Sequence, residues 1–210
     1  MHAVFGTFGP GRAVRFAPVQ GALFQEAIDV AVILNPQLTP VEFVLTVCEE
    51  LGIFMRDEDS TSVKDLVDLL NRRLLEAHAK GRRVVLIVDE AQNLTPATLE
   101  QVRLLTNLET GSQKLLQIIL IGQPELREAL DRVELRQLAQ RITGRYHLAP
   151  LSRSETAAYV NHRLKVAGAA GEVFTIAALR EVHRLSGGVP RIINVICDRA
   201  LLGAFTQEQH

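Results

Sequence analysis

The chain has 210 residues, 47% of them hydrophobic and 22% charged, with a net charge of −1. Those values fit a globular protein of one ordinary domain, or one domain with a small appendage. They exclude a whole-protein basic field for nucleic acid, and no apolar run approaches the roughly 20 residues needed to span a bilayer.

The N-terminus lacks the charged-then-apolar layout of a signal peptide. A membrane role therefore requires a partner or a segment outside these residues. Cys48 and Cys197 lie in helix-like stretches without metal-ligand spacing, so both read as reduced core residues of a cytosolic protein.

The first 25 residues contain no acid and are rich in Gly and Pro. Within them Gly6-Thr-Phe-Gly9-Pro-Gly11-Arg12-Ala13 has the glycine spacing of a phosphate-binding P-loop, G-x-x-x-x-G-K-[ST]. Arg12 stands in the lysine position and Ala13 in the hydroxyl position. Arginine keeps the charge without the compact ammonium, and alanine offers Mg²⁺ no oxygen. Pro18 would fall inside the helix that ordinarily follows such a loop. Taken as residues alone, this segment reads as a glycine-rich loop.

From Glu26 the pattern becomes periodic. Residues 29–34 (DVAVIL) read as a buried strand closed by Asn35-Pro36. Thr39-Pro40-Val41-Glu42 gives an N-cap, a proline at the first helical position and a capping-box glutamate, and that helix stops at Gly52. Residues 54–60 read as an acidic loop. Ser62 opens a second helix with Val63, Leu66, Val67, Leu70 and Leu74 as its stripe, closed by Gly81.

Val84-Val-Leu-Ile-Val88 then runs into Asp89 and Glu90. An unbroken apolar run of this kind is a strand buried on both faces, as in a parallel sheet. Acids are costly to bury, so the pair belongs at the strand's carboxyl mouth, where α/β folds bind ligands. In P-loop nucleotidases the first such acid orders Mg²⁺ and the second activates a water. The bland alternative is an ordinary acidic strand end.

Pro96 begins a helix that Gly111 ends, and Leu115–Ile121 is another buried strand, followed by Gly122-Gln123. Gln123 at the tip of that strand could reach a γ-phosphate or the attacking water; strand-following loops are also simply polar. Strands alternating with helices predict a parallel α/β sheet.

Arg136, Arg141 and Arg145 follow, as possible stabilisers of phosphoryl charge or as a solvated face. After Pro150 only helices are expected: one capped by Ser152-x-x-Glu155, one over 175–185 and one over 190–205. Gly187-Gly188 permits a tight turn into the last. It leaves Arg191 in the first helical turn, where a cation opposes the helix dipole and an anion would relieve it. His183 reads as a surface or packing histidine.

Taken together, DVAVILNP (29–36), LIVDEAQNL (86–94), LLTNLET (104–110), IILIGQPEL (118–126), QRITGRYHLAPL (140–151) and SGGVPRIINVICDRAL (186–201) resemble the AAA+ ATPases of general secretion pathway protein A, including the MSHA pilus biogenesis ATPases. The resemblance spans about residues 29–205. It implies a P-loop NTPase-like α/β core over 1–149, with 1–25 atypical, and a helical lid over 150–210. It implies ATP and Mg²⁺ as cofactors, Asp89 and Glu90 as Walker B acids, and Gln123 as sensor 1. It further implies Arg141 or Arg145 as the arginine finger, with Arg145 preferred, and Arg191 as the sensor 2 arginine.

The family's P-loop reads roughly G-E-V-G-T-G-K-T-T. Here Gly6, Gly9, Gly11 and Arg12 occupy its place with the phosphate chemistry altered. The abrupt return to family sequence motivates the idea that residues up to about Gly21 derive from a shifted reading frame or decayed gene start. Sequencing upstream DNA tests this: no frame encoding G-x-x-x-x-G-K-T would sink it.

The resemblance also implies a homo-oligomer working with secretion-system or pilus assembly proteins, cytoplasmic or at the cytoplasmic face of the inner membrane. Its substrate process would be secretin or pilus assembly in type II secretion. Two other readings stand beside it: a non-hydrolysing AAA+ interaction module, and a DNA-associated initiator or transposition helper. The −1 charge and the lack of a basic recognition helix count against nucleic acid.

Overall fold

A computed structural model of the chain describes residues 1–5, 28–34, 36–53, 62–111 and 113–207. The glycine-rich segment with Gly6, Gly9, Gly11 and Arg12 lies outside the described residues, as does the acidic stretch at 54–60. The chain forms two compact units, with the break between His147 and Leu148.

The first unit is built on five parallel strands: β1 (His2–Phe5), β2 (Ile28–Ile33), β3 (Arg83–Val88), β4 (Leu116–Gly122) and β5 (Gly144–His147). Their order across the sheet is β2-β3-β4-β1-β5. Register aligns Ile33 with Val88, Val88 with Leu120, and Phe5 with both Gly122 and His147. The carboxyl ends of β1, β3 and β4 therefore share one edge of the sheet, and Asp89 and Gln123 follow from it. The chain leaves β1 towards β2 and leaves β4 towards β5, in opposite directions along the sheet. In open α/β sheets ligands bind at such a divergence, outside the carboxyl ends of the strands.

The sheet is covered by α1 (Pro40–Glu50), α2 (Val63–Ala79), α3 (Pro96–Leu105), α4 (Pro124–Leu130) and the short α5 (Arg136–Gln140). Its core joins Leu86 and Val88 of β3, Ile118 and Leu120 of β4, Phe43 and Val47 of α1, and Leu66, Leu70 and Leu74 of α2. The five apolar residues of β3 are all buried, as a strand covered on both faces must be. β4 alternates instead, with Gln117 exposed between Leu116 and Ile118.

The capping box at Thr39 forms: its hydroxyl accepts the Glu42 N–H, and the Glu42 carboxylate accepts the Thr39 N–H at 2.8 Å. Helix α3 ends at Leu105, earlier than the expected stop at Gly111. Thr106 closes it with its hydroxyl on the Arg103 carbonyl at 2.6 Å, and Lys114 Nζ donates to the Thr106 carbonyl at 3.1 Å. Hydrogen bonds from a turn and a distant lysine terminate a helix that no nearby glycine or proline would break.

Asp29, at the start of β2, receives Arg73 from α2 at 3.0 Å and Arg82 from the lead into β3. The hydrogen bond from Arg82, and the charge of both guanidiniums, hold the Asp29 carboxyl below the usual range against the opposing effect of burial. A carboxylate with its folded pKa depressed stabilises the fold above its unfolded pKa of about 3.9, and that contribution is lost as pH falls through the folded value. Asp29→Asn is therefore expected to lower the urea midpoint at neutral pH, with the gap from the parent closing in acid below about pH 4. A gap independent of pH in urea titrations would sink this account.

The second unit holds α6 (Arg153–Val166), α7 (Ile176–Ser186) and α8 (Pro190–Thr206). Its core is small: Val160, Leu179, Val182 and Ile193, with Leu151, Tyr159 and Phe174 packed against them. Ser152 forms its capping box with Glu155. His183 packs, its Nδ1 lying 3.0 Å from Thr156 Oγ1. Burial pushes the Cys48 thiol in the first unit up to about 11 and raises that of Cys197 in the second, which favours the thiol over the thiolate at both.

Candidate functional site at the carboxyl edge of the sheet

Asp89 follows the last residue of β3 and is 4% exposed. Its N–H donates to the Ile33 carbonyl at 2.8 Å, which carries the sheet pairing one residue past the strand. Its Oδ1 accepts the Glu90 N–H at 2.7 Å. Glu90 then turns the chain out of the sheet with φ 50° and ψ 38°, the one positive φ among the described non-glycine residues. The left-handed region disfavours a side-chain-bearing residue, and such strain gathers at functional sites. A single 3₁₀ turn, Ala91–Asn93, follows.

Gln123 follows the last residue of β4, one strand away, and is the N-cap residue of α4. Its Nε2 donates to Glu90 Oε2 at 3.3 Å. Gln92 lies between the two: its Nε2 also donates to Glu90 Oε2, and its Oε1 accepts the Gln123 N–H at 3.1 Å. Gly122 makes this approach possible. A Cβ there would lie 2.9 Å from Gln92 Oε1 and 2.8 Å from Leu126 Cδ2. The fold thus gathers Asp89, Glu90 and Gln123 at one edge, with Gln92 among them.

Asp89 offers a buried hard oxygen donor at the mouth of the sheet, which suits Mg²⁺ or its bound water. Glu90 offers a carboxylate in the reach of water, oriented by two amides. These groups fit a divalent cation and a polarised water.

The arginines are placed differently. Arg141 follows α5, and its Nη1 donates to Thr106 Oγ1 at 3.0 Å and to Asn107 Oδ1 at 2.5 Å. Arg145 lies on β5, its side chain 39% exposed, with Nη1 3.7 Å from Asp131 Oδ1. Arg136 is exposed at the start of α5. Arg191 belongs to the second unit, in the first turn of α8, which has no side-chain cap. There it lines a groove of about 500 Å³ with Arg163, Phe174 and Asp198.

The sequence of the site matches a family model described as the AAA domain over residues 3–130. The chain belongs to the AAA family. Within this AAA chain, 182 residues are 54% identical to general secretion pathway protein A of Aeromonas hydrophila. That match takes in 87% of the chain and only 33% of the relative's length. The resemblance read from the motifs is borne out by both matches.

Among solved structures, Cdc6p from Pyrobaculum aerophilum superposes with a TM-score of 0.74 at 17% identity, over 99% of this chain and 56% of that one. The Aeropyrum pernix ORC2 protein in its ADP form gives 0.67 at 14% identity, over 99% and 58%. At that identity they establish the fold alone: a parallel sheet flanked by helices with a helical C-terminal part.

Two features of this edge of the sheet escape sequence reading. Gln92 was legible only as part of a motif, because its partner Gln123 is 31 residues away. The strand β1 that brings the chain to the glycine-rich segment is four residues long and carries no strong pattern.

Proposed function

We propose that the chain is the AAA ATPase module of a secretion-associated protein like general secretion pathway protein A, acting in secretin or pilus assembly. In this reading residues 1–149 are the nucleotide-binding core and 150–210 the lid. Glu90 takes the proton of the attacking water, Gln123 orients that water or the γ-phosphate, and Asp89 holds Mg²⁺. The metal, when bound, supplies neutralisation of phosphate charge. Arg145, or Arg141, would serve a neighbouring copy as the arginine finger, which implies a homo-oligomer. Arg191 would meet the γ-phosphate from the lid.

The observation that carries this reading is the gathering of Asp89, Glu90 and Gln123 beside the carboxyl end of β1. The identity to the Aeromonas protein and the ADP form of the structurally similar ORC2 protein support it.

The phosphate-holding half is weakened. Arg12 and Ala13 replace the lysine and hydroxyl at that place, so hydrolysis is impaired relative to the family. A non-hydrolysing module is the limit of the same trend. A fluorescent ATP analogue titrated with Mg²⁺ separates the two halves. Arg12→Lys with Ala13→Thr is expected to tighten binding at least about tenfold, ~1.4 kcal/mol. Micromolar binding by the unsubstituted chain would overturn the impairment.

A further inference from the structure

We propose that Gln92 is a positioning residue, tying the Glu90 carboxylate to the end of β4 so that the two move together. The inference rests on the reading of Glu90 as the group that activates water. Glu90 sits at a left-handed corner between β3 and a single 3₁₀ turn, its N–H on Asp89 Oδ1 and its carbonyl accepting the Asn93 N–H at 2.9 Å. Among the described residues, the side-chain amides of Gln92 and Gln123 donate to its carboxylate.

One of those amides, Gln92, has both ends engaged. Its NH₂ faces Glu90 and its carbonyl oxygen receives the backbone N–H of Gln123. An amide is suited to this double task because it places a donor and an acceptor on one rigid plane. Glutamate at this position would set a second carboxylate against Glu90. Methionine would keep the length and lose both bonds.

The absence of a side chain at Gly122 admits the Gln92 oxygen, so backbone and side chain are fitted to each other. Gln123 also reaches Glu90 directly through its Nε2. A shift at the tip of β4, where Gln123 would meet phosphate, therefore has two routes to the Glu90 carboxylate. The route through Gln92 depends on the position of the Gln123 backbone and is independent of the Gln123 side chain.

Two measurements on the full chain test this. In the first, without nucleotide, amide hydrogen exchange at Gln123 is followed by NMR. Gln92→Met is expected to speed it at least about tenfold, while Gln92→Glu, which keeps the accepting oxygen, leaves it near the parent. Unchanged exchange in Gln92→Met overturns the proposal whether or not the chain hydrolyses ATP.

In the second, ATP hydrolysis is measured in the chain carrying Arg12→Lys and Ala13→Thr. Gln92→Met and Gln92→Glu are each expected to lower kcat about tenfold with nucleotide affinity unchanged, and to add no loss once Glu90→Gln is present. A loss that persists beside Glu90→Gln, or a parent rate in both variants, overturns it. Should the Met variant not fold, Gln92→Ala, which also lacks the accepting oxygen, takes its place in both measurements. A parent without hydrolysis counts against the proposed function alone, and the exchange measurement then decides Gln92.

Discussion

Glu90→Gln, placed in the chain with Arg12→Lys and Ala13→Thr, is expected to slow ATP hydrolysis by about 10²-fold or more while leaving nucleotide affinity within about twofold. A positioned general base contributes roughly 10²–10⁴ to a rate, and the amide cannot take the proton. Binding should hold because the exchange removes charge without changing shape. Asp89 stays buried and still accepts the N–H of residue 90. Single-turnover hydrolysis and analogue binding, measured side by side, check this. A proportional loss of affinity and rate would assign Glu90 to binding or folding. An unchanged rate would remove it from the chemistry.

The second large effect lies in the helical unit. Gly188→Ala is expected to cost about 3 kcal/mol or more, and Gly187→Ala only about 1 kcal/mol. Both glycines have positive φ, 57° at Gly187 and 76° at Gly188. Space separates them. A Cβ at Gly187 meets nothing within 4 Å, whereas one at Gly188 would lie 2.0 Å from the Leu151 carbonyl oxygen and 2.9 Å from its nitrogen.

Those atoms are backbone and cannot rotate away. They are also bonded, since the Leu151 N–H donates to the Gly188 carbonyl at 2.8 Å. Relief would pull the residue preceding the Ser152 cap from the α7–α8 junction. A core centred on Val160, Leu179, Val182 and Ile193 has little reserve to absorb such a loss. Urea unfolding followed by circular dichroism distinguishes the two variants. Equal midpoints would show that φ alone matters and that the close approach at Leu151 does not.

Much of the fold is legible in local pattern. Val84–Val88 announces a doubly covered strand because burial on both faces leaves no position for a polar residue. Thr39 and Ser152 announce helix starts because their hydroxyls satisfy N–H groups that the helix cannot. The place of the acid pair just past β3 is legible because carboxylates tolerate a strand's mouth and not its middle.

Other features are illegible for an equally physical reason. β5 reads Gly-Arg-Tyr-His and is largely exposed, so no hydrophobic period marks it. It is a strand only because β1 pairs with it across the sheet, His2 beside Gly144. The end of α3 is set by Thr106 and by Lys114 eight residues on.

The sequence by itself determined the lineage, the alternation of strands and helices, and the apolar run that ends in Asp89 and Glu90. These follow from residue type and spacing along the chain. Tertiary structure decided the strand order, the left-handed corner at Glu90, the seat of Gln92 against Gly122, and the close packing of Gly188 on Leu151. Each depends on which distant backbone lies alongside, and a sheet whose order departs from chain order makes those neighbours invisible to any local reading.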